Sequence, residues 1–153
     1  MKINGLKFCV VGGGIGGLAA ALALRQRGAQ VTVLERAPAL TEVGAGLQIS
    51  ANGMSVLRAL GVAGDQPKAA QFSCGIILRD YRKGRVISRI PAPAAGPTFY
   101  YHRADLLELL RQASEEAGVD IRLGARVQTV RKHPSEAEIV ESRTIHHYDL
   151  VDT

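Results

Sequence analysis

The spacing of apolar and polar positions divides the chain into short pieces, and the first of these are the most regular. Phe8 to Val11 is an apolar run stopped by glycines, the pattern of a parallel strand covered on both faces. Gly16 to Arg27 is mostly Ala and Leu, both strong helix formers, and Gly28 stands where a left-handed helix cap is wanted. Val31 to Leu34 is a second apolar run, ending on the acid Glu35. Strand, glycine turn, helix and strand in this order predict a βαβ unit built on a parallel sheet.

The remaining pattern is less uniform. Arg36 to Ser50 has no sustained period and carries Pro38, Gly44 and Gly46, predicting a loop that leads into a short extended piece. Asn52 to Leu60 predicts a helix capped by Ser50 or Asn52 and ended by Gly61, with Met54, Leu57 and Leu60 on one face. From Val62 to Pro97 the character changes. CGIILRDYRKGRVISRI alternates and turns at Lys83-Gly84 as an antiparallel hairpin does, and a Pro- and Ala-rich linker follows. Phe99 to Asp105 leads into a helix over Arg103 to Ala117, with an apolar face from Leu106, Leu107, Leu109 and Leu110 and Gly118 as its cap. Val119 to Leu123 predicts a third strand, and Arg126 to Val130, Ala137 to Val140 and Thr144 to Val151 predict a small meander. The expected fold is therefore α/β: a Rossmann-like domain with a parallel sheet and a β-meander over residues 1–61 and 99–153, and a β-hairpin excursion over 62–98.

The glycine turn carries the clearest chemistry. Gly12, Gly14 and Gly17 make the Gly-x-Gly-x-x-Gly pattern: the first permits a tight turn, the second lets a pyrophosphate approach the backbone, and the third allows close helix packing. The helix that follows points its free N–H groups and positive dipole end at the turn, which suits a diphosphate. Glu35 can accept hydrogen bonds from ribose hydroxyls, and it disfavours a 2′-phosphate there, an objection softened by Arg36. This unit alone leaves FAD and NAD both open. Gly44 and Gly46, flanking Ala45, would let backbone N–H groups approach a planar ligand, although an ordinary turn uses the same residues.

Composition narrows the alternatives. At 153 residues, 46% hydrophobic and 22% charged, the chain is long enough for one domain with a real core. Its apolar stretches break at Gly or Arg before membrane-spanning length, and the N-terminus lacks the cleavage pattern of a signal peptide. Cys9 and Cys74 have no metal or redox spacing and read as small buried residues in a reducing compartment, so the expected location is cytoplasmic with no membrane contact. The net charge of +5 admits a nucleic-acid partner. However, the one basic cluster, Arg79, Arg82, Lys83, Arg85 and Arg89, lies on the hairpin without an interleaved aromatic platform and reads as a solvated face. His102, His133, His146 and His147 lack metal-type spacing, and no nucleophile context accompanies them. No metal site and no catalytic residue is assigned. Tyr81, Tyr100 and Tyr101 could stack on a ring ligand or fill a core.

Four stretches together resemble a known family. They are Val11 to Gly17 with Glu35-Arg36, EVGAGLQIS followed by Asn52-Gly53, HRADL at His102 to Leu106, and GARV at Gly124 to Val127. Their order and spacing resemble the FAD-dependent aromatic hydroxylases, single-component flavoprotein monooxygenases of the salicylate and 3-hydroxybenzoate hydroxylase type, over nearly the whole chain. The resemblance implies that Gly12, Gly14, Ile15 and Gly17 cradle the FAD diphosphate and that Glu35, with Arg36 beside it, holds the adenosine ribose. It places Ala45 and Gly46 near the flavin, Arg103 on the phosphate or ribityl region, and the backbone of Val127 against the adenine. It further implies NADH or NADPH as reductant, O₂, and a small aromatic acid as substrate. Family members continue from a strand like YDLV into a Gly/Ala-Asp-Gly motif and a substrate sheet, where this sequence has Asp152-Thr153. The expectation is that this is the N-terminal portion of such an enzyme, with residues 62–98 belonging to its substrate domain. That portion is not expected to hydroxylate alone, and a second chain would cover the strand edge after Val151.

Overall fold

A computed structural model describes residues 3–41, 45–64, 69–94, 96–134, 136–141 and 144–149. Gly44 and the strand edge after Val151 lie outside them. The chain divides into two compact units, one formed by residues 1–42 and 107–153 and the other by 43–106.

The first unit contains the βαβ core. Strands β1 (Lys7–Val11), β2 (Gln30–Glu35) and β8 (Asp120–Leu123) form a parallel sheet in the order β1-β2-β8, with Val10 opposite Val33 and Val33 opposite Ile121. Val31, Val33 and Leu34 of the central strand are buried, as a parallel strand covered on both faces requires. Helix α1 (Ile15–Gln26) crosses between β1 and β2, buries Leu18, Ala21 and Leu22, and is followed by Gly28 at φ +88.

Helix α3 (Arg103–Glu116) enters this unit with Leu107, Leu110 and Ser114 buried. The Arg25 guanidinium donates to the carbonyls of Ala117, at 2.7 Å, and Ala29, at 3.0 Å, so one cation ties the C-terminal ends of both helices together. Strands β9 (Val127–Lys132), β10 (Glu136–Glu141) and β11 (Thr144–Asp149) make the antiparallel meander β11-β10-β9. Cys9, Thr32 and Leu34 share one face of the parallel sheet by alternation. On that face Leu34 and Cys9 meet Ile139, Tyr148, Ala125 and Val127.

The second unit holds β3 (Gly46–Ile49), α2 (Ala51–Ala59), β4 (Ala70–Ser73), β5 (Gly75–Arg79), β6 (Val86–Pro91) and β7 (Thr98–His102). Ser50 is the N-cap residue of α2, and Met54, Leu57 and Leu60 are buried, as the helical period predicts. An antiparallel sheet runs β3-β7-β4 with the Tyr101 ring buried in it, while Tyr81 is exposed. Strand β4 is absent from the sequence reading, because AQFS is too short to show a period.

The hairpin β5-β6 forms as the alternation predicts, and Asp80 explains its turn. Its carboxylate accepts the Lys83 N–H at 2.6 Å, the Arg85 N–H at 2.8 Å and the Arg82 N–H at 3.0 Å. These N–H donors, Lys83 first, hold the Asp80 carboxyl below its usual value.

One expectation is corrected. Cys74 is exposed, not buried, because it sits between β4 and β5 at the start of a hairpin that is solvent-accessible on both faces. Cys9 is half-buried, and burial pushes its thiol up to about 11, against the opposing effect of a hydrogen bond with Tyr148. At pH 8 an aromatic disulfide reagent should therefore titrate one fast thiol, Cys74, with Cys9 reacting on the order of a hundredfold more slowly until the chain is unfolded. Two equally fast thiols in the native protein would contradict this placement of Cys9.

Candidate functional site

The carboxyl ends of β1 and β2 meet the start of α1, the position where open α/β sheets bind ligands. Gly12 leaves β1 at φ +106 while its N–H still donates to the Leu34 carbonyl at 2.8 Å, so the chain turns sharply at a point fixed to β2. Gly14 is the N-cap of α1, with extended backbone, no side-chain cap and no acid in the first turn. The first helical bond runs from the Leu18 N–H to the Gly14 carbonyl at 2.9 Å. The preceding N–H groups, from Ile15 to Gly17, have no intrahelical acceptor and carry the positive end of the helix dipole.

The glycines differ in what surrounds them. A methyl group on Gly17 would collide with the Gly12 carbonyl oxygen and lie 3.1 Å from its carbon, so α1 packs on the turn only because Gly17 has no side chain. A methyl on Gly13 would lie 2.9 Å from Leu40 and 3.1 Å from the Glu35 Cβ. At Gly14 and Gly16 it would meet nothing within 4 Å. The space at the head of α1 is thus open toward uncapped donors, which fits a diphosphate.

Glu35 is more engaged than its position at the end of β2 suggests. One carboxylate oxygen accepts the Ala37 N–H at 2.8 Å and the other the Gly13 N–H at 2.7 Å, so the acid closes its own loop and pins the glycine turn. These two donors, Ala37 first, hold the carboxyl below its ordinary value. Each oxygen keeps a second lone pair for a ligand hydroxyl.

Two clefts flank Glu35. The smaller, about 120 Å³, lies between Gly13, Gly14, Ala37, Leu40 and Thr41. The larger, about 320 Å³, has apolar walls from Val11, Leu34, Ala125 and Val127 and charged groups from Glu35, Arg36 and Arg126. Its far wall is fixed to β2 by the Ala125 N–H donating to the Glu35 carbonyl at 2.8 Å and the Gly124 N–H donating to the Ala37 carbonyl at 2.9 Å.

The first unit thus carries Gly12, Gly14, Ile15, Gly17, Glu35, Arg36 and Val127: Gly12, Glu35, Arg36 and Val127 line the larger cleft, Gly14 and Glu35 line the smaller, and Ile15 and Gly17 lie in the first turn of α1. Ala45, Gly46 and Arg103 belong to the second unit. Ala45 is exposed, Gly46 opens β3 opposite His102, and Arg103 begins α3 immediately after that partner. A methyl on Gly46 would meet only the Tyr101 carbonyl, at 3.9 Å, so the surrounding protein does not demand glycine there. Sequence reasoning missed Gly13, which occupies a variable place in the glycine pattern, and Arg126, which stands inside GARV next to a residue singled out for its backbone. Among the described residues no group of three His, Cys, Asp or Glu side chains is placed to hold a metal.

Two outcomes follow from this geometry. Gly17→Ala should cost about 1–3 kcal/mol of stability, through overpacking against the turn, with Gly16→Ala as a milder control, both read by urea denaturation. The Glu35 carboxyl is depressed relative to about 4.3 in an unfolded chain. It therefore stabilises the fold above that pH, and this contribution is lost as the pH falls through the folded-state value. The stability gap between wild type and Glu35→Gln should be widest near neutrality and should close as the pH is lowered from about 5 toward 3. A gap independent of pH would contradict the role given to the carboxylate.

Comparison with known proteins bears on the family and the fold. The profile of a family described as FAD binding domain matches residues 6–151. The chain is 36% identical over 132 residues to the FAD-dependent monooxygenase OpS4 of Beauveria bassiana (strain ARSEF 2860), covering 82% of this chain and 31% of that protein. It is 35% identical over 143 residues to 3-hydroxybenzoate 6-hydroxylase of Polaromonas naphthalenivorans (strain CJ2), covering 89% and 36%. Among solved structures, native FqzB superposes with a TM-score of 0.79 at 23% identity, covering 97% of this chain and 36% of that one. The tetrameric form of 2-methyl-3-hydroxypyridine-5-carboxylic acid oxygenase superposes with a TM-score of 0.76 at 24% identity, covering 94% and 38%. These two superpositions concern the fold. The chain spans about a third of the length of the relatives it matches.

Proposed function

The chain belongs to the FAD binding domain family, whose members among the relatives above include FAD-dependent monooxygenases, and from that premise we propose that it is the FAD-holding portion of an NAD(P)H-dependent monooxygenase acting on a small aromatic acid. The observation that carries the reading is the uncapped start of α1 facing the open space at Gly14, beside a cleft walled by Val11, Leu34, Ala125 and Val127.

In this reading each candidate residue takes one part of the ligand. The N–H groups of Ile15 to Gly17 hold the diphosphate, with Gly12 and Gly14 leaving room for it. Glu35, already set by Gly13 and Ala37, accepts from ribose hydroxyls, Arg36 flanks it, and the backbone of Val127 meets the adenine edge. Ala45 and Gly46 lie along the isoalloxazine, and Arg103 binds the phosphate or ribityl region as a planar fork. Bound FAD would supply the redox chemistry, accepting electrons from NADH or NADPH and passing oxygen from O₂ to an electron-rich ring. The chain's own contribution is to bind and orient that group. The aromatic-acid substrate is suggested by the relative whose name specifies 3-hydroxybenzoate. An exposed free thiol at Cys74 fits a reducing, cytoplasmic setting.

The purified chain should take up FAD with about one equivalent per protein, show a flavin absorption spectrum, and release FAD rather than FMN on denaturation. Supplied with FAD, NADH and hydroxybenzoates, it should show no substrate-dependent oxygen uptake. Absence of any FAD or ADP affinity would remove the reading, and hydroxylated product would overturn its restriction to a binding role.

A further inference from the structure

We propose that Arg126 is a specificity-determining residue for the purine end of the ligand, its planar guanidinium capping the base in the larger cleft; this rests on the FAD-holding reading above. In that reading the N–H groups at the head of α1 serve the diphosphate, so a cation beside Val127 in the larger cleft is available for a different task.

The backbone dictates where Arg126 can reach. Ala125 is buried against Leu34 and Ile139, and its N–H is bonded to the Glu35 carbonyl, so residue 125 points into the core and residue 126 points out. Val127 then begins β9 and is paired with Glu141. Arg126 thus rises from a backbone fixed on both sides and lines the larger cleft together with Val11, Glu35, Arg36 and Val127. It is exposed and makes no hydrogen bond or ion pair with the described residues, whereas Arg25, Arg111, Arg122 and Arg131 are each held by a carbonyl or carboxylate. Glu35, the acid in the same cleft, is occupied by Gly13 and Ala37.

A cleft that offers the exposed Val11 and the partly exposed Val127 beside a planar cation with no partner among the described residues can seat a flat, electron-rich ring between apolar contact and guanidinium. Guanidinium stacks on such a face, while an ammonium acts as a point charge. The class of ligand selected is therefore adenine nucleotides over nucleotides with a smaller base.

Binding of ADP and UDP to the 153-residue chain and its Arg126→Ala and Arg126→Lys variants, measured calorimetrically at low and moderate salt, tests this. Both substitutions should weaken ADP binding by roughly 2- to 30-fold at either salt concentration and should narrow the preference for ADP over UDP. Unchanged thermal melting would show that the exposed site tolerates the change. An Arg126→Lys variant with wild-type ADP affinity would overturn the stacking role in favour of charge alone. Wild-type affinity in Arg126→Ala would overturn any role. If the wild-type chain bound neither ADP nor FAD, the FAD-holding reading itself would fall, whereas its failure only in the variants' selectivity leaves that reading standing.

Discussion

The close approach of α1 to the turn at Gly12 is the constraint on which the site depends. Gly17 rests against the Gly12 carbonyl with no space for a side chain, and this contact fixes the direction in which α1 leaves β1. With the direction fixed, the uncapped N–H groups converge on the open space at Gly14. Glu35 secures the same turn from β2 by accepting the Gly13 N–H, and its second oxygen holds Ala37, where the chain leaves the sheet. Two contacts of different character, a steric one and a charge-assisted one, thus preorganise the donors before any ligand arrives.

The same end of β2 also sets the second cleft. Its carbonyl at Glu35 receives the Ala125 N–H, bringing the start of the meander beside the glycine turn. The meander's Ile139 and Tyr148 meanwhile cover the sheet face that carries Cys9 and Leu34, and the partial burial of Cys9 there raises its thiol to about 11 and lowers its reactivity. Core packing and the candidate crevice are therefore two consequences of one strand, β2, being central in β1-β2-β8.

Much of this was legible in the sequence because strong local signals agreed. The strand, turn, helix and strand of the first unit, the α2 face of Met54, Leu57 and Leu60, and the hairpin around Lys83-Gly84 each combine a period with a glycine stop, and the structure forms them with boundaries within a residue or two. What stayed illegible depends on contacts distant in sequence. Cys74 gives no sign that its hairpin is accessible on both faces, and β4 is defined only by pairing with β7. The double engagement of Glu35 requires Gly13 to be folded back toward β2, and Arg126 enters the cleft only because Gly124 and Ala125 are bonded to the end of that strand. The glycine pattern names the turn, but the partners that hold it come from elsewhere in the chain.

The central claim is that a diphosphate is held by backbone donors at the head of α1. Amide chemical-shift mapping of the isotopically labelled chain during addition of ADP tests it most directly. The account predicts that the largest shifts fall on Gly14, Ile15, Gly16 and Gly17, with secondary changes at Glu35 and Val127. Shifts concentrated instead on the basic hairpin of Arg79 to Arg89, with the α1 amides unmoved, would contradict it.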